Sequence, residues 1–141
     1  MEKGPILERL TAMREFVRQL RRYQAASFEE FLSDPTLRAA VERFFQLAIE
    51  AVLDISAMLC RALGLRRPGE GRESIIALGR AGVLPMDFAE RFAPVASFRN
   101  ILVHEYLRID PKIVYEKLQT GLGDFEEFAR HVARALRGKE K

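Results

Sequence analysis

The sequence predicts an all-α fold, an antiparallel bundle of about four to six helices. Apolar residues recur every three or four positions over most of the chain, which is the period of an amphipathic helix. Glycine, proline and capping residues punctuate these stretches at intervals typical of helix ends. No segment shows the alternating pattern of a strand, and we find no internal repeat or low-complexity tract.

The predicted helices follow the chain in order. A first amphipathic helix runs from Ile6 to about Tyr23, and its basic face is either a solvated face, which the pattern favours, or a surface for RNA or a partner. Ser27 and Glu30 form a capping-box pattern that opens a short helix ending at Asp34-Pro35. The remaining helices are predicted over residues 36–63, 73–81, 85–92, 95–106, 111–120 and 124–136, with Gly64 as a left-handed cap and Asp110-Pro111 as a helix start.

Two apolar rows lie side by side on the longest predicted helix, residues 36–63. One row steps by four and three residues from Leu37 to Ala62, which is a seam for antiparallel packing. Two rows indicate two packing partners, for example the bundle and a second subunit. A polar stripe of Glu42, Gln46, Glu50 and Asp54 follows at intervals of four. We assign Glu42 and Glu50 to solvent, and Asp54, within an apolar stretch, to a buried arginine or histidine.

The composition predicts one domain spanning residues 1–141, with a frayed tail at 136–141. Hydrophobic residues make up 48% and charged residues 30% of the chain, a globular balance. No apolar run approaches the roughly 20 residues of a membrane span, and the N-terminus lacks a signal-peptide core, so we expect a cytoplasmic protein without membrane contact. The net charge of +3 permits RNA binding without arguing for it.

Neither metal nor cofactor chemistry is predicted. Cys60 is the single cysteine, which excludes an intrachain disulfide, and it falls on the apolar side of a helix as a small buried hydrophobe. The two histidines are far apart in sequence, and no carboxylate spacing supports a metal site. We expect His131, which lacks a polar context, to be structural or at the surface.

The chemistry is concentrated in the segment 98–106. Apolar residues surround this predicted helix, which indicates burial. Arg99, Asn100, His104 and Tyr106 interrupt it with a guanidinium, an amide, an imidazole and a phenol. Asn100 and His104 are four residues apart and share one face, whereas Arg99 and Tyr106, seven apart, share a neighbouring one. From spacing alone, a structural polar pair is favoured over a functional site.

This segment resembles the signature of the HepT-like toxins, which belong to the HEPN superfamily of helical ribonucleases. The resemblance is carried by Arg99-x4-His104-x-Tyr106 within Phe98-Arg99-Asn100-x-Leu102-Val103-His104-x-Tyr106-x-x-Ile109-Asp110. It extends to residues 37–54, 82–85 and 123–128, and so covers nearly the whole chain. It implies a HEPN-like two-fold dimer that is the toxin of a toxin–antitoxin system with a minimal nucleotidyltransferase antitoxin.

The resemblance implies metal-independent endoribonuclease activity, with Arg99 and His104 as catalytic residues. Two copies of the motif helix at the dimer interface would supply two histidines for the acid and base roles. Asn100 and Asp54 are the expected supporting residues. In HepT-like toxins the tyrosine of this motif accepts AMP from the antitoxin, which assigns that role to Tyr106 and predicts inactivation. The alternative is a noncatalytic helical module that dimerises and binds a nucleotidyltransferase or nucleic acid.

Overall fold

A computed structural model describes residues 2–65 and 69–138 of the chain. The described residues form eight α-helices and one 3-10 helix, and they contain no strand, which confirms the all-α prediction. The helices are α1 (Gly4–Arg22), α2 (Phe28–Ser33), α3 (Pro35–Ala62), α4 (Gly71–Arg80), α5 (Met86–Phe92), α6 (Val95–His104), α7 (Pro111–Thr120) and α8 (Leu122–Gly138). The 3-10 helix, Tyr106–Arg108, lies between α6 and α7.

Local capping interactions fix the helix ends that the sequence predicts. The Ser27 hydroxyl accepts a hydrogen bond from the Glu30 amide, and the Glu30 carboxylate accepts one from the Ser27 amide, so the capping box is present. Gly64 follows α3 with φ of +66°, a left-handed conformation that favours glycine. The Asp110 carboxylate caps α7 by accepting a hydrogen bond from the Lys112 amide at 3.0 Å.

The long helix α3 lies at the centre of the bundle and contacts α1, α2, α4, α6 and α7. The helices α1 and α3 run antiparallel: Arg9 lies beside Asp54 near one end of the pair, and Tyr23 lies beside Phe44 near the other. Buried aromatic rings fill the space between α3, α5 and α8. The Phe125 ring contacts the rings of Phe45 and Phe92, and the Phe92 ring also contacts that of Phe128. This core holds α6 against α3, the arrangement on which the site depends.

Both ends of the last helix differ from the sequence prediction. The last helix, α8, begins at Leu122 rather than at Asp124, and the Asp124 carboxylate pairs with Arg91 on α5. Leu136 is buried, and α8 continues to Gly138, two residues beyond the predicted helix end; residues 139–141 of the predicted frayed tail lie outside the described residues. Residues 66–68, between α3 and α4, also lie outside the described residues, and α4 begins at Gly71 rather than at residue 73 as predicted.

Cys60 is buried as predicted, with 1% of its surface exposed, and burial raises the pKa of its thiol. Its Sγ atom lies 3.7 Å from the carbonyl oxygen of Ser74, which ties α3 to α4. Among the described residues, no helix is long and apolar enough to cross a membrane.

Candidate active site

The helix α6 is anchored by its first half. Pro94 precedes the helix, and Ala96 and Phe98 are its buried residues. The Phe98 ring packs edge-on against Phe45 of α3 with a centroid distance of 5.7 Å, and the Lys117 ammonium lies 5.0 Å from the Phe98 ring centroid. This packing fixes the position of the next residue, Arg99.

Arg99 is held in a polar network between α6 and α3. Its Nη2 atom donates to the Glu50 carboxylate at 3.2 Å, and its Nη1 atom donates to the Asn100 side-chain oxygen at 3.1 Å. Gln46, one turn before Glu50 on α3, donates to the same Glu50 oxygen at 3.1 Å. The Arg99 side chain remains 27% exposed, so the guanidinium is oriented by protein groups and still open to solvent.

The Arg99 Nε atom adds a further donor to this site. It is buried and has no hydrogen-bond partner among the described residues. A buried donor without a partner carries a desolvation cost.

Glu50, rather than Asp54, is the carboxylate that supports the motif. Our assignment of Asp54 to Arg99 or His104 is wrong: its side chain is 62% exposed and lies 3.6 Å from Arg9 Nε on α1. The assignment of Glu50 to solvent is also wrong, because α6 crosses α3 at Glu50, one turn before Asp54, and places Arg99 beside it. The sequence shows that Glu50 and Asp54 are four residues apart, but it does not show at which turn of α3 the helix α6 crosses.

His104 is the last residue of α6, and it is exposed. The α-helix stops there because Glu105 leaves the helical region, with φ of −133° and ψ of 54°. Tyr106 therefore belongs to the following 3-10 helix and not to α6, so its predicted shared face with Arg99 does not exist. Its side chain is 75% exposed.

Burial of the whole motif segment was a wrong prediction for the single chain. Neighbouring helices cover Phe98, and they leave Asn100, Val103, His104 and Leu107 exposed. Val103 is 37% and Leu107 is 85% exposed, which places two large apolar side chains at the surface beside the polar groups. Exposed apolar surface next to polar residues is typical of an interaction site.

His131 takes the structural role that the sequence predicted. Its Nε2 atom lies 3.1 Å from Glu127 one turn earlier in α8, and its ring packs 5.6 Å from the Phe88 ring. Among the described residues, no group of three or more histidine, cysteine or acidic side chains is arranged to hold a metal ion.

The site thus consists of an oriented arginine, an exposed histidine and an exposed tyrosine. The guanidinium can hold a phosphate with two hydrogen bonds, and the imidazole can donate or accept a proton. The all-α bundle of the described residues has the fold of solved HEPN toxins. A solved HEPN toxin, "tri-AMPylated Shewanella oneidensis HEPN toxin in complex with MNT antitoxin", matches the fold with a TM-score of 0.86 at 24% identity, over 95% of this chain and 99% of that one.

The chain belongs to the HepT-like ribonuclease family, whose family model, "Ribonuclease HepT-like", matches residues 13–132. It is 28% identical to a "tRNA nuclease HepT" of Aphanizomenon flos-aquae over 88% of this chain and 84% of the relative. It is 30% identical to an "mRNA nuclease HepT" of Shewanella oneidensis over 70% of this chain and 74% of the relative. The family resemblance inferred from residues 98–110 is therefore confirmed.

Proposed function

We propose that this protein is the toxin of a HepT/minimal-nucleotidyltransferase system and a metal-independent endoribonuclease. The observation that carries the proposal is that Arg99, oriented by Glu50 at 3.2 Å, and the exposed His104 lie on the same helix. The nuclease names of the relatives from Aphanizomenon and Shewanella support an RNA substrate.

The chemistry is a transesterification at one phosphodiester. A base removes the proton of the ribose 2′-OH, the 2′-oxygen attacks phosphorus, and the bond from phosphorus to the 5′-oxygen breaks. An acid returns a proton to the leaving 5′-oxygen, which gives a 2′,3′-cyclic phosphate and a 5′-hydroxyl. His104 is suited to proton transfer, and Arg99 is suited to stabilising the negative charge of the phosphorane.

A two-fold dimer completes the proposed site. One imidazole cannot act as base and acid in the same step, whereas two copies of α6 facing each other supply two histidines and two arginines. The exposed side chains of Val103 and Leu107 support this arrangement because they give the end of the motif an apolar surface to bury.

Tyr106 is the proposed acceptor of AMP. The nucleotidyltransferase would move the AMP group from ATP to the phenol oxygen, with pyrophosphate leaving and the phenol proton released. The 75% exposure of Tyr106 supports its access to such an enzyme. The added phosphodiester would be an anion close in sequence to the Arg99–His104 pair and would compete with the RNA phosphate.

The test of nuclease activity is cleavage of a cellular RNA pool by purified, unmodified protein in excess chelator. We expect the parent to cleave and His104→Ala to lose at least about 100-fold in rate, the range of general acid–base catalysis. The matched control is His131→Gln, which keeps a donor for Glu127 and retains activity. Intact RNA after incubation with a folded, unmodified dimer would overturn the proposal in favour of a noncatalytic binding module.

The test of modification uses the cognate nucleotidyltransferase with ATP and intact-mass spectrometry. We expect the parent to gain mass in units of AMP and to lose nuclease activity, while Tyr106→Phe remains active and carries no AMP at this position. A Tyr106→Phe protein that is inactivated as fully as the parent would exclude Tyr106 as the regulatory acceptor.

A further inference from the structure

A basic groove runs between α1 and α8, and none of its lining residues comes from the motif helix α6. Four arginines line it, Arg14, Arg18 and Arg21 from α1 and Arg130 from α8. Its volume is about 380 Å³. That volume is in the range of roughly 300–1,000 Å³ found for ligand pockets.

The buried side chains that line this groove are apolar. They are Met13 and Val17, with 0% and 4% of their surfaces exposed. Such side chains offer no carboxylate that would compete for the arginines. The acidic side chain in the lining is Glu126.

The four guanidinium groups differ in whether the protein already pairs them. Arg18 pairs with Glu15 on its own helix, and Arg21 pairs with Glu126 across the groove. Arg14 and Arg130 are exposed and form no ion pair or hydrogen bond with the described residues. The contact of Arg21 with Glu126 shows that an oxyanion fits between the two helices, and two further guanidinium groups in the same groove are free to bind one.

The spacing of the arginines fits a linear polyanion. Positions 14, 18 and 21 are four and three residues apart, which places them on one side of α1 with a rise of about 6 Å and then about 4.5 Å along the helix axis. A row of guanidinium groups is suited to successive phosphates of one strand, because each can form bidentate hydrogen bonds.

We propose that this groove binds the sugar–phosphate backbone of the RNA strand, apart from the phosphodiester that is cleaved. The proposal rests on the proposed ribonuclease function and adds to it a binding surface outside the motif. It assigns Arg14 and Arg130 as the two principal phosphate contacts. The surface recognises phosphates and not bases, so it adds affinity for RNA of any sequence.

Binding is measured by fluorescence anisotropy with a labelled single-stranded RNA oligonucleotide of mixed sequence, in the His104→Ala background so that the RNA stays intact. We expect Arg14→Ala with Arg130→Ala to weaken binding about 10-fold at low salt. The slope of log affinity against log salt should fall in magnitude by about 1.4, since each phosphate contact on a single strand contributes about 0.7. Thermal melting establishes that the double variant is folded.

The matched control is Arg43→Ala with Arg80→Ala, which removes the same charge from two exposed arginines outside the groove. We expect this control to change affinity less than twofold. Equal weakening by both double variants would assign the effect to net charge and overturn the proposal. Substituting lysine at positions 14 and 130 should restore part of the affinity and most of the salt slope.

The outcomes separate this proposal from the proposed function. If the parent cleaves RNA and the Arg14/Arg130 variant binds as tightly as the His104→Ala protein, the groove proposal fails and the nuclease stands. If the parent neither cleaves nor binds RNA, the proposed function and the groove proposal both fail. If RNA binding is unchanged and binding of the nucleotidyltransferase is lost, the groove is a protein-binding surface and the proposal is wrong.

Discussion

At the scale of single residues, the two proposed catalytic side chains are held to different degrees. Arg99 is oriented from α3 by Glu50, which is itself hydrogen-bonded to Gln46. His104 is exposed at the end of α6. The arginine is therefore preorganised within one chain, whereas under the proposed function the histidine would take its final position against RNA or a second subunit.

The first prediction concerns Glu50 as a positioning residue. Glu50→Ala should lower kcat for RNA cleavage by about 10- to 100-fold because the guanidinium loses its orientation, the scale of effect that small misplacements produce. Asp54→Ala, one turn away and paired with Arg9, is the control and should change kcat less than twofold.

The readouts for Glu50 separate positioning from folding. The thermal midpoint of Glu50→Ala should fall only slightly, since the pair is partly exposed. Glu50→Gln, which keeps an acceptor oxygen, should recover part of kcat. Equal losses of activity in the Glu50 and Asp54 variants would contradict the assignment of Glu50.

The second prediction concerns Glu42, whose pKa is raised by burial, with the charge of Arg38 opposing the shift. A carboxyl with a raised folded pKa contributes stability at low pH, and that contribution is lost as pH rises through the folded pKa. Glu42→Gln should therefore be more stable than the parent at pH 7, by about 0.5 kcal/mol or less because the side chain is partly exposed.

Urea unfolding at several pH values tests this prediction. The advantage of Glu42→Gln should shrink as pH falls and vanish below the ordinary carboxyl pKa of about 4.3. A parent protein that is more stable than the variant at pH 7 would show that the ionised form of Glu42 is favoured by folding.

At the scale of elements, α3 determines where the site lies. This 28-residue helix supplies Glu50 to Arg99, Phe45 to Phe98 and one side of the packing with α1. Its first turn is capped by the Asp34 carboxylate, which accepts from the Thr36 and Leu37 amides at 3.1 Å each. The cap matters because the first amides of a helix otherwise have no partner.

The third prediction is that Asp34→Ala lowers the free energy of unfolding by about 1 kcal/mol, the usual cost of removing such a cap. Asp34→Asn is the matched control, since its amide oxygen can accept the same hydrogen bonds. It should lower the free energy of unfolding by only a few tenths of a kcal/mol. Chemical denaturation followed by circular dichroism measures both. Identical losses in the two variants would assign the effect to charge and not to capping.

Helix ends were predictable from sequence because they depend on neighbouring residues. The left-handed glycine at Gly64, the Ser27–Glu30 capping box and the Asp110 cap each use groups within a few positions. The start of α8 was not predictable in this way. Asp124 pairs with Arg91 from α5. Tertiary packing decides whether such a carboxylate caps its own helix or pairs with a distant side chain.

At the scale of the whole molecule, the sequence placed the proposed site in one segment but did not show its surroundings. Arg99, His104 and Tyr106 were identified by spacing and resemblance, because a motif is a property of consecutive residues. The partner of Arg99 and the exposure of His104 depend on where α6 crosses α3, which no local pattern encodes. The apolar residues around α6 indicated burial, and the structure shows that Val103 and Leu107 are left uncovered within one chain.

The last prediction follows from this uncovered surface. If Val103 and Leu107 are buried against a second copy, Leu107→Glu places a charge in an apolar interface, and the dimer should dissociate because a buried unpaired charge is costly. The folded monomer should persist, since Leu107 is 85% exposed in the single chain and contributes little to its core.

Leu32→Glu, at a 50% exposed position on α2, is the matched control and should leave the dimer intact. Analytical ultracentrifugation measures the oligomeric state, and RNA cleavage should fall in parallel with dimer content because each monomer retains a single copy of His104. Full activity in a monomeric Leu107→Glu protein would show that one chain suffices for both proton transfers, and the composite site would have to be abandoned.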